Sequence, residues 1–295
     1  MIKKVLLKIL LSISLKLNDL LYRRPYFDRG SRKIKAENEI PHLDLVITEC
    51  CSLKCRDCSN LMQYYQKPEN LKTESIIQDL TKLLQCVRVG ELNILGGEPF
   101  VNQNSLTEIL RCLSGSLRDQ VGTINIITNG TIIPKEDCID AIRNNPKAVI
   151  ILSNYGKLST RQDELIDICK ENKISFILRD DAYHWFDFGQ PVKYTEPYEF
   201  VKRQYKHCSV RKNCMTLYRG SVYTCPRQAH GIKLGLLPDN KDDYVDLYDS
   251  QYKNNTDLIH AVFGMYNRTE PVSACYYCIF AKYIHVPRGV QKNRL

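Results

Sequence analysis

The stretch LDLVITECCSLKCRDCSN, residues 43–60, sets four cysteines within nine positions directly after an apolar run. The apolar run reads as a buried strand, so the thiols gather in the loop that leaves its carboxyl end. Three of them, Cys51, Cys55 and Cys58, have the spacing C-x3-C-x2-C, one ligand short of a four-thiolate site. Cys50 precedes that motif and belongs with the strand as a core thiol.

Thirteen cysteines in 295 residues are many, but secreted disulfide scaffolds are usually short, and this chain can bury a core without crosslinks. The apolar N-terminal run carries Lys8 and Lys16 and lacks a small-x-small cleavage site, which argues against a cleavable secretory signal. A cytoplasmic protein using cysteines as metal ligands is expected. Hydrophobic content of 43% and charged content of 25% suit a globular chain. The formal charge of +9 is spread along the sequence without aromatic–basic interleaving, so no nucleic-acid partner is expected.

Residues 2–21 form an amphipathic helical pattern, with Leu6, Ile9, Leu10, Ile13, Leu17, Leu20 and Leu21 on one face and lysines opposite. Its four lysines make residues 1–24 a poor membrane span. They suit peripheral contact with the inner membrane surface, or docking on the protein's own core or on a second subunit. Residues 25–42 read as a linker. From residue 43 strands alternate with helices: strands at 43–48, 91–95, 123–128, 148–153 and 174–179, and helical patterns at 73–87, 105–116, 134–144 and 160–171, the first capped by Thr73. This α/β alternation implies parallel crossovers and a partial (β/α) TIM-like barrel of five or six parallel strands over residues 43–200. Residues 201–295 change character and are expected to form a small α+β unit.

In parallel β/α folds ligands gather at the carboxyl ends of the strands. Those ends carry the cysteine loop, then Gly96-Gly97-Glu98-Pro99, Thr128-Asn129-Gly130, Ser153-Asn154-Tyr155-Gly156, and Arg179-Asp180-Asp181. Three thiolates can hold three irons of a 4Fe–4S cluster and leave the fourth open to a chelating small molecule. Two adjacent glycines admit a close backbone approach, and Glu98 offers a carboxylate to an amino group. Asn129 and Ser153 can hydrogen-bond a ribose. A ligand with an amino-acid end and a nucleoside end fits this set.

The constellation resembles the radical S-adenosylmethionine enzymes, which carry C-x3-C-x2-C after the first barrel strand and a GGEP-like motif after the second. The resemblance covers residues 43 to about 180. It implies that Cys51, Cys55 and Cys58 ligate the cluster, that S-adenosylmethionine completes it, and that a flavodoxin- or ferredoxin-type protein supplies electrons. The family usually places an aromatic residue before the third cysteine, near the adenine; here Asp57 stands there. The rival reading of the thiols is a zinc site pairing Cys55 and Cys58 with Cys275 and Cys278.

Beyond residue 200 the cysteines run Cys208, Cys214, Cys225, Cys275 and Cys278, with a hairpin turning at Gly220. This resembles the short auxiliary-cluster extension of the same superfamily, the twitch type related to SPASM domains. The resemblance implies an auxiliary 4Fe–4S cluster on Cys208, Cys225, Cys275 and Cys278. Cys214 is then the spare: a ligand replacing Cys208, an inert thiol, or a hydrogen-atom donor. Cys86, Cys112, Cys138 and Cys169 fall in helical patterns as core residues. The segment RDDAYHWFDFG, residues 179–189, offers Asp181 and His184 as bases, or packs its aromatics into a domain junction.

The expected function is a radical oxidoreductase. It cleaves S-adenosylmethionine reductively to a 5′-deoxyadenosyl radical that takes a hydrogen atom from a small-molecule or peptide substrate, with oxidation of the dehydrogenase type, of a sugar, aminocyclitol or peptide, favoured. An epimerase with a cysteine hydrogen donor is the alternative enzyme. An iron–sulfur or zinc scaffold that binds a partner through its N-terminal helix is the alternative of another class.

Overall fold

The computed structural model describes residues 38–179 and 185–292. The N-terminal helical pattern, nearly all of the linker, and the candidates Asp181 and His184 lie outside the described residues. Strand β1 (Glu39–Thr48) is buried along its whole length. It is flanked in parallel by β2 (Arg88–Gly96) and by β6 (Met215–Tyr218). Parallel pairing continues outward through β3 (Val121–Thr128), β4 (Ala148–Ser153) and β5 (Phe176–Arg179). On the far side β6 turns back into β7 (Ser221–Tyr223), which pairs antiparallel with β8 (Tyr244–Asp246). The order is β5-β4-β3-β2-β1-β6-β7-β8, an open sheet with six parallel strands.

The helices α1 (Thr73–Leu84), α2 (Gln103–Ser114), α3 (Glu136–Arg143) and α4 (Gln162–Glu171) fill the crossovers. Their apolar stripes meet one face of the sheet. Ile76, Leu80, Leu83 and Leu84 of α1 join Leu43, Leu45, Leu92, Ile94, Ile124 and Ile126 in one core. Each fully buried leucine or isoleucine there stabilises the fold by about 1.5–3 kcal/mol. Thr73 does not cap α1: Lys72 holds the N-cap position, and the Thr73 hydroxyl instead meets Ser105 Oγ at 2.8 Å, tying α1 to α2.

The chain from Tyr198 onward adds α5 (Tyr198–His207), α6 (Ser209–Asn213), α7 (Pro226–Lys233) and α8 (Asn255–Tyr266), so α5 spans the expected boundary at residue 200. It also extends the sheet through β6 to β8. The expected hairpin turns on Arg219 and Gly220, with φ of 49° and 76°. Two successive left-handed residues give the twist that a two-residue hairpin loop requires, and Gly220 N–H is held by the Asp79 carboxylate at 2.7 Å. No helix among the described residues is long and apolar enough to cross a membrane.

Candidate active site

The cysteine loop crosses back over the end of β2. Gly97 N–H donates to Thr48 O at 3.0 Å, and Glu98 N–H donates to Cys50 O at 2.8 Å. A β-carbon on Gly96 would lie 2.1 Å from Thr48 O, and one on Gly97 2.1 Å from Cys50 O. The glycine pair therefore seats the cysteine loop, a task that ligand approach alone does not reveal.

Cys51, Cys55 and Cys58 line a cavity of about 410 Å³ on the face of the sheet opposite the crossover helices. Gly96, Gly97, Asn129 and Ser153 line it from neighbouring strand ends, so the structure brings the expected groups together. Burial raises all three thiols above their ordinary range, Cys55 to about 11, and the proximity of Cys58 raises Cys51 and Cys55 further. Thiols held neutral this way form a ligand set that ionises as metal binds. The described residues contain no group of acidic, histidine or cysteine side chains gathered tightly enough for a single metal ion. A cubane holds its thiolates on separate irons, so three thiols on one cavity wall fit the cluster better than a mononuclear site.

Glu98 departs from its expected place. It is fully buried and absent from the cavity wall, as is Pro99. Its Oε1 accepts from Thr128 Oγ1 at 2.8 Å and Phe100 N–H at 3.2 Å, and its Oε2 accepts from Asn129 N–H at 2.8 Å. These donors occupy the carboxylate, while burial raises its pKa to about 7. Glu98 thus positions Asn129, whose amide nitrogen meets Ser52 Oγ at 3.1 Å and Cys51 Sγ at 3.8 Å. Asp57 lines the cavity paired with Arg56 at 2.8 Å. Aromatic surface comes instead from Tyr155 and Trp185, whose rings meet edge to face with centroids 5.4 Å apart.

The floor of the cavity holds polar residues that the strand-end reading missed. Along β1 and β2, side chains alternate between the helix-covered core and the cavity, which places His42 and Asp44, then Glu91 and Asn93, inward. Asn93 Nδ2 donates to Asp44 Oδ1 at 2.8 Å, and Asn125 Nδ2 of β3 donates to Asn93 Oδ1 at 2.9 Å. The signal was available in DLVI, ELNIL and TINII: strands buried on both faces in a parallel sheet are near-continuously apolar, and these carry polar residues at period two.

A second cavity is lined by Cys208, Cys225, Cys275 and Cys278, the four expected auxiliary ligands. Burial raises all four thiols, Cys208 to about 11 and Cys225 to about 12. Four neutral thiols in one enclosed space fit a second cubane. Cys55 and Cys58 line the other cavity, so the zinc pairing with Cys275 and Cys278 does not form. Cys214 lies on the wall of the first cavity and not of the second. There its thiol is a hydrogen-bond partner of the Asp44 carboxyl.

The end of the chain also reaches the first thiol loop. Lys54 N–H donates to Gln291 Oε1 at 2.7 Å, Gln291 Nε2 lies 3.3 Å from Cys55 Sγ, and Arg56 N–H donates to Val290 O at 2.7 Å. No sequence motif marks Gln291.

A family profile described as a 4Fe–4S single cluster domain matches residues 44–145. The GTP 3′,8-cyclase of Clostridium acetobutylicum is 29% identical over 144 residues, 49% of this chain and 43% of that protein. A probable GTP 3′,8-cyclase of Methanococcus aeolicus is 30% identical over 97 residues, 33% of this chain and 32% of that protein. The chain thus matches less than half the length of either curated relative. Among solved structures, BtrN in complex with AdoMet and 2-DOIA superposes with a TM-score of 0.51 at 13% identity, covering 81% of this chain and 92% of that one. That likeness is one of fold.

Proposed function

We propose that this chain is a radical S-adenosylmethionine enzyme, and that it removes a hydrogen atom from a substrate in the 410 Å³ cavity and returns one from Cys214. When bound, the cluster and its cosubstrate supply one-electron cleavage of S-adenosylmethionine and the hydrogen-abstracting 5′-deoxyadenosyl radical. Cys51, Cys55 and Cys58 would hold the cluster. Of the other groups on the wall, the backbone at Gly96 and Gly97 would take the methionine end of the cosubstrate, Asn129 and Ser153 its ribose, and Tyr155 with Trp185 its adenine.

The observation that carries the reading is the place of Cys214 on the wall of the 410 Å³ cavity, beside the Asp44 carboxyl; the Cys208 and Cys225 thiols also lie near it, so the iron count below decides between donor and ligand. A substrate carbon radical takes the hydrogen atom of the thiol, forming a C–H bond and leaving a thiyl. One electron from a ferredoxin-type protein and one proton, passed through the adjoining Asp44 carboxyl, restore the thiol. If the hydrogen is delivered to the opposite face, the reaction is an epimerisation.

Dehydrogenation is the second reading, supported by the auxiliary cavity, whose cluster would accept the second electron. The curated relatives are named for GTP, and that substrate is not carried over to this chain. Anaerobic reconstitution of Cys214→Ala tests the choice. About eight irons per chain with intact cleavage of S-adenosylmethionine supports the donor role, and a fall to about four makes Cys214 a ligand. Solvent deuterium at the reacting carbon marks epimerisation; a product lacking two hydrogens marks oxidation.

A further inference from the structure

The face of a β/α sheet opposite the crossover helices is normally filled by apolar layers. Here its floor is a hydrogen-bonded ladder across three parallel strands. Register pairs His42 with Glu91, Asp44 with Asn93, and Asn93 with Asn125. His42 Nδ1 stands 3.6 Å from Glu91 Oε2, Asn125 Nδ2 bridges Glu91 Oε2 at 3.4 Å and Asn93 Oδ1 at 2.9 Å, and Asn93 donates to Asp44 at 2.8 Å. Burying so many polar groups is costly unless they are partnered. The ladder partners them with one another and orients them as a surface of fixed donors and acceptors. The two oxygens of the Asp44 carboxyl leave acceptor capacity beyond Asn93, and an incoming ammonium group would favour its ionised form.

The charges narrow the ligand further. Among the described residues of the cavity wall the carboxyls are Asp44, Asp57 and Glu91, and the single permanent cation is Arg179. Asp57 is taken by Arg56, which leaves two floor carboxyls against one guanidinium. A nucleoside triphosphate needs several cations, or a metal, at its phosphates. The described residues of this wall supply one. Hydroxyl groups suit the ladder, since each can donate to a carboxylate or carboxamide oxygen and accept from an asparagine N–H. An ammonium group would be paired by Asp44 or Glu91.

We propose that the ladder of His42, Glu91, Asn125, Asn93 and Asp44 is the substrate-binding floor, and that it takes an uncharged or amine-bearing polyhydroxylated ring and rejects phosphorylated nucleotides. This rests on the cavity being the substrate site of a radical enzyme. It adds that the reacting ring lies between the floor and the cofactor groups, within reach of Cys214.

Isothermal titration of the anaerobically reconstituted enzyme with S-adenosylmethionine present tests this, using glucosamine, glucose and GTP as probes. Both sugars are expected to bind, glucosamine about tenfold more tightly than glucose, with GTP weaker than either. In Asp44→Asn the preference for the amine should fall to about one-to-one if Asp44 pairs it. Glu91→Gln is the parallel variant should Asp44→Asn fail to fold. Tighter binding of GTP than of glucosamine, no heat from either sugar, or an amine preference surviving in both variants overturns the proposal. Failure of the radical-enzyme premise reads out separately, as no 5′-deoxyadenosine from S-adenosylmethionine and dithionite whichever probe binds.

Discussion

The Gln291 carboxamide nitrogen lies 3.3 Å from the sulfur of Cys55, 236 positions earlier in the chain. The same side chain accepts from Lys54 N–H through its oxygen, and the flanking backbone pairs with Lys54 and Arg56. The C-terminal segment thus clasps the loop that carries the first thiol set. The carboxamide nitrogen of Gln291 donates to Gly289 O at 2.7 Å and also faces the sulfur of Cys55, a proposed cluster ligand.

Hydrogen bonds to ligand sulfurs help set cluster potentials by stabilising the added charge of the reduced state. Gln291→Leu removes the donor while keeping similar bulk. Its first cluster should have a more negative reduction potential and lose iron faster in air, as read by EPR-monitored redox titration and iron release. A potential and lability equal to the parent's would mean that the contact does not act on the cluster.

Two separate thiol cavities predict separable iron. The triple variant Cys51→Ala, Cys55→Ala, Cys58→Ala should retain about four irons per chain, against about eight in the parent, and should not cleave S-adenosylmethionine. A parent saturating at about four irons would contradict two cubane clusters.

Glu98 should matter to the iron-free protein, because its three donors are internal. Glu98→Ala strands buried donors, at a cost of about 1–3 kcal/mol each when left unpaired. Urea unfolding of the apo protein should show that loss before any cofactor is added. An unchanged midpoint and slope would mean that Glu98 acts only on a ligand.

Asp44 sets a pH dependence of stability. Burial raises its carboxyl from 3.8 to about 7, so across that range the folded protein keeps a proton that the unfolded chain has released. The stabilisation is full below the unfolded value and is lost as pH rises through the folded one. Thermal unfolding of apo parent and Asp44→Asn should therefore diverge, the parent losing stability relative to the variant up to about pH 7 and then levelling. A difference that stays flat across that range would refute the assignment.

Local pattern was enough for much of this molecule. The alternation of apolar strands with amphipathic helices specifies parallel crossovers, because helix and strand periodicities are written in neighbouring residues. The C-x3-C-x2-C loop and the glycine pair are likewise short-range, since one loop and one turn carry them. The turn at Arg219 and Gly220 was legible for the same reason.

What the sequence left open depends on which distant groups share a space. Five cysteines compete for four auxiliary positions along the chain, and only the packing of α6 beside β1 sets Cys214 against Asp44 in the other cavity. Glu98 reads as a ligand group until the Thr128–Asn129 turn is seen to surround it. Gln291 carries no motif and acquires its place from backbone pairing with the cysteine loop. The polar ladder was written at period two, but its meaning required the strand register that aligns Asp44, Asn93 and Asn125 across three strands. Residue type and spacing determined the cofactor chemistry, because a metal loop is local; the substrate side was decided by tertiary structure, because a cavity is made of contacts between residues far apart in the chain.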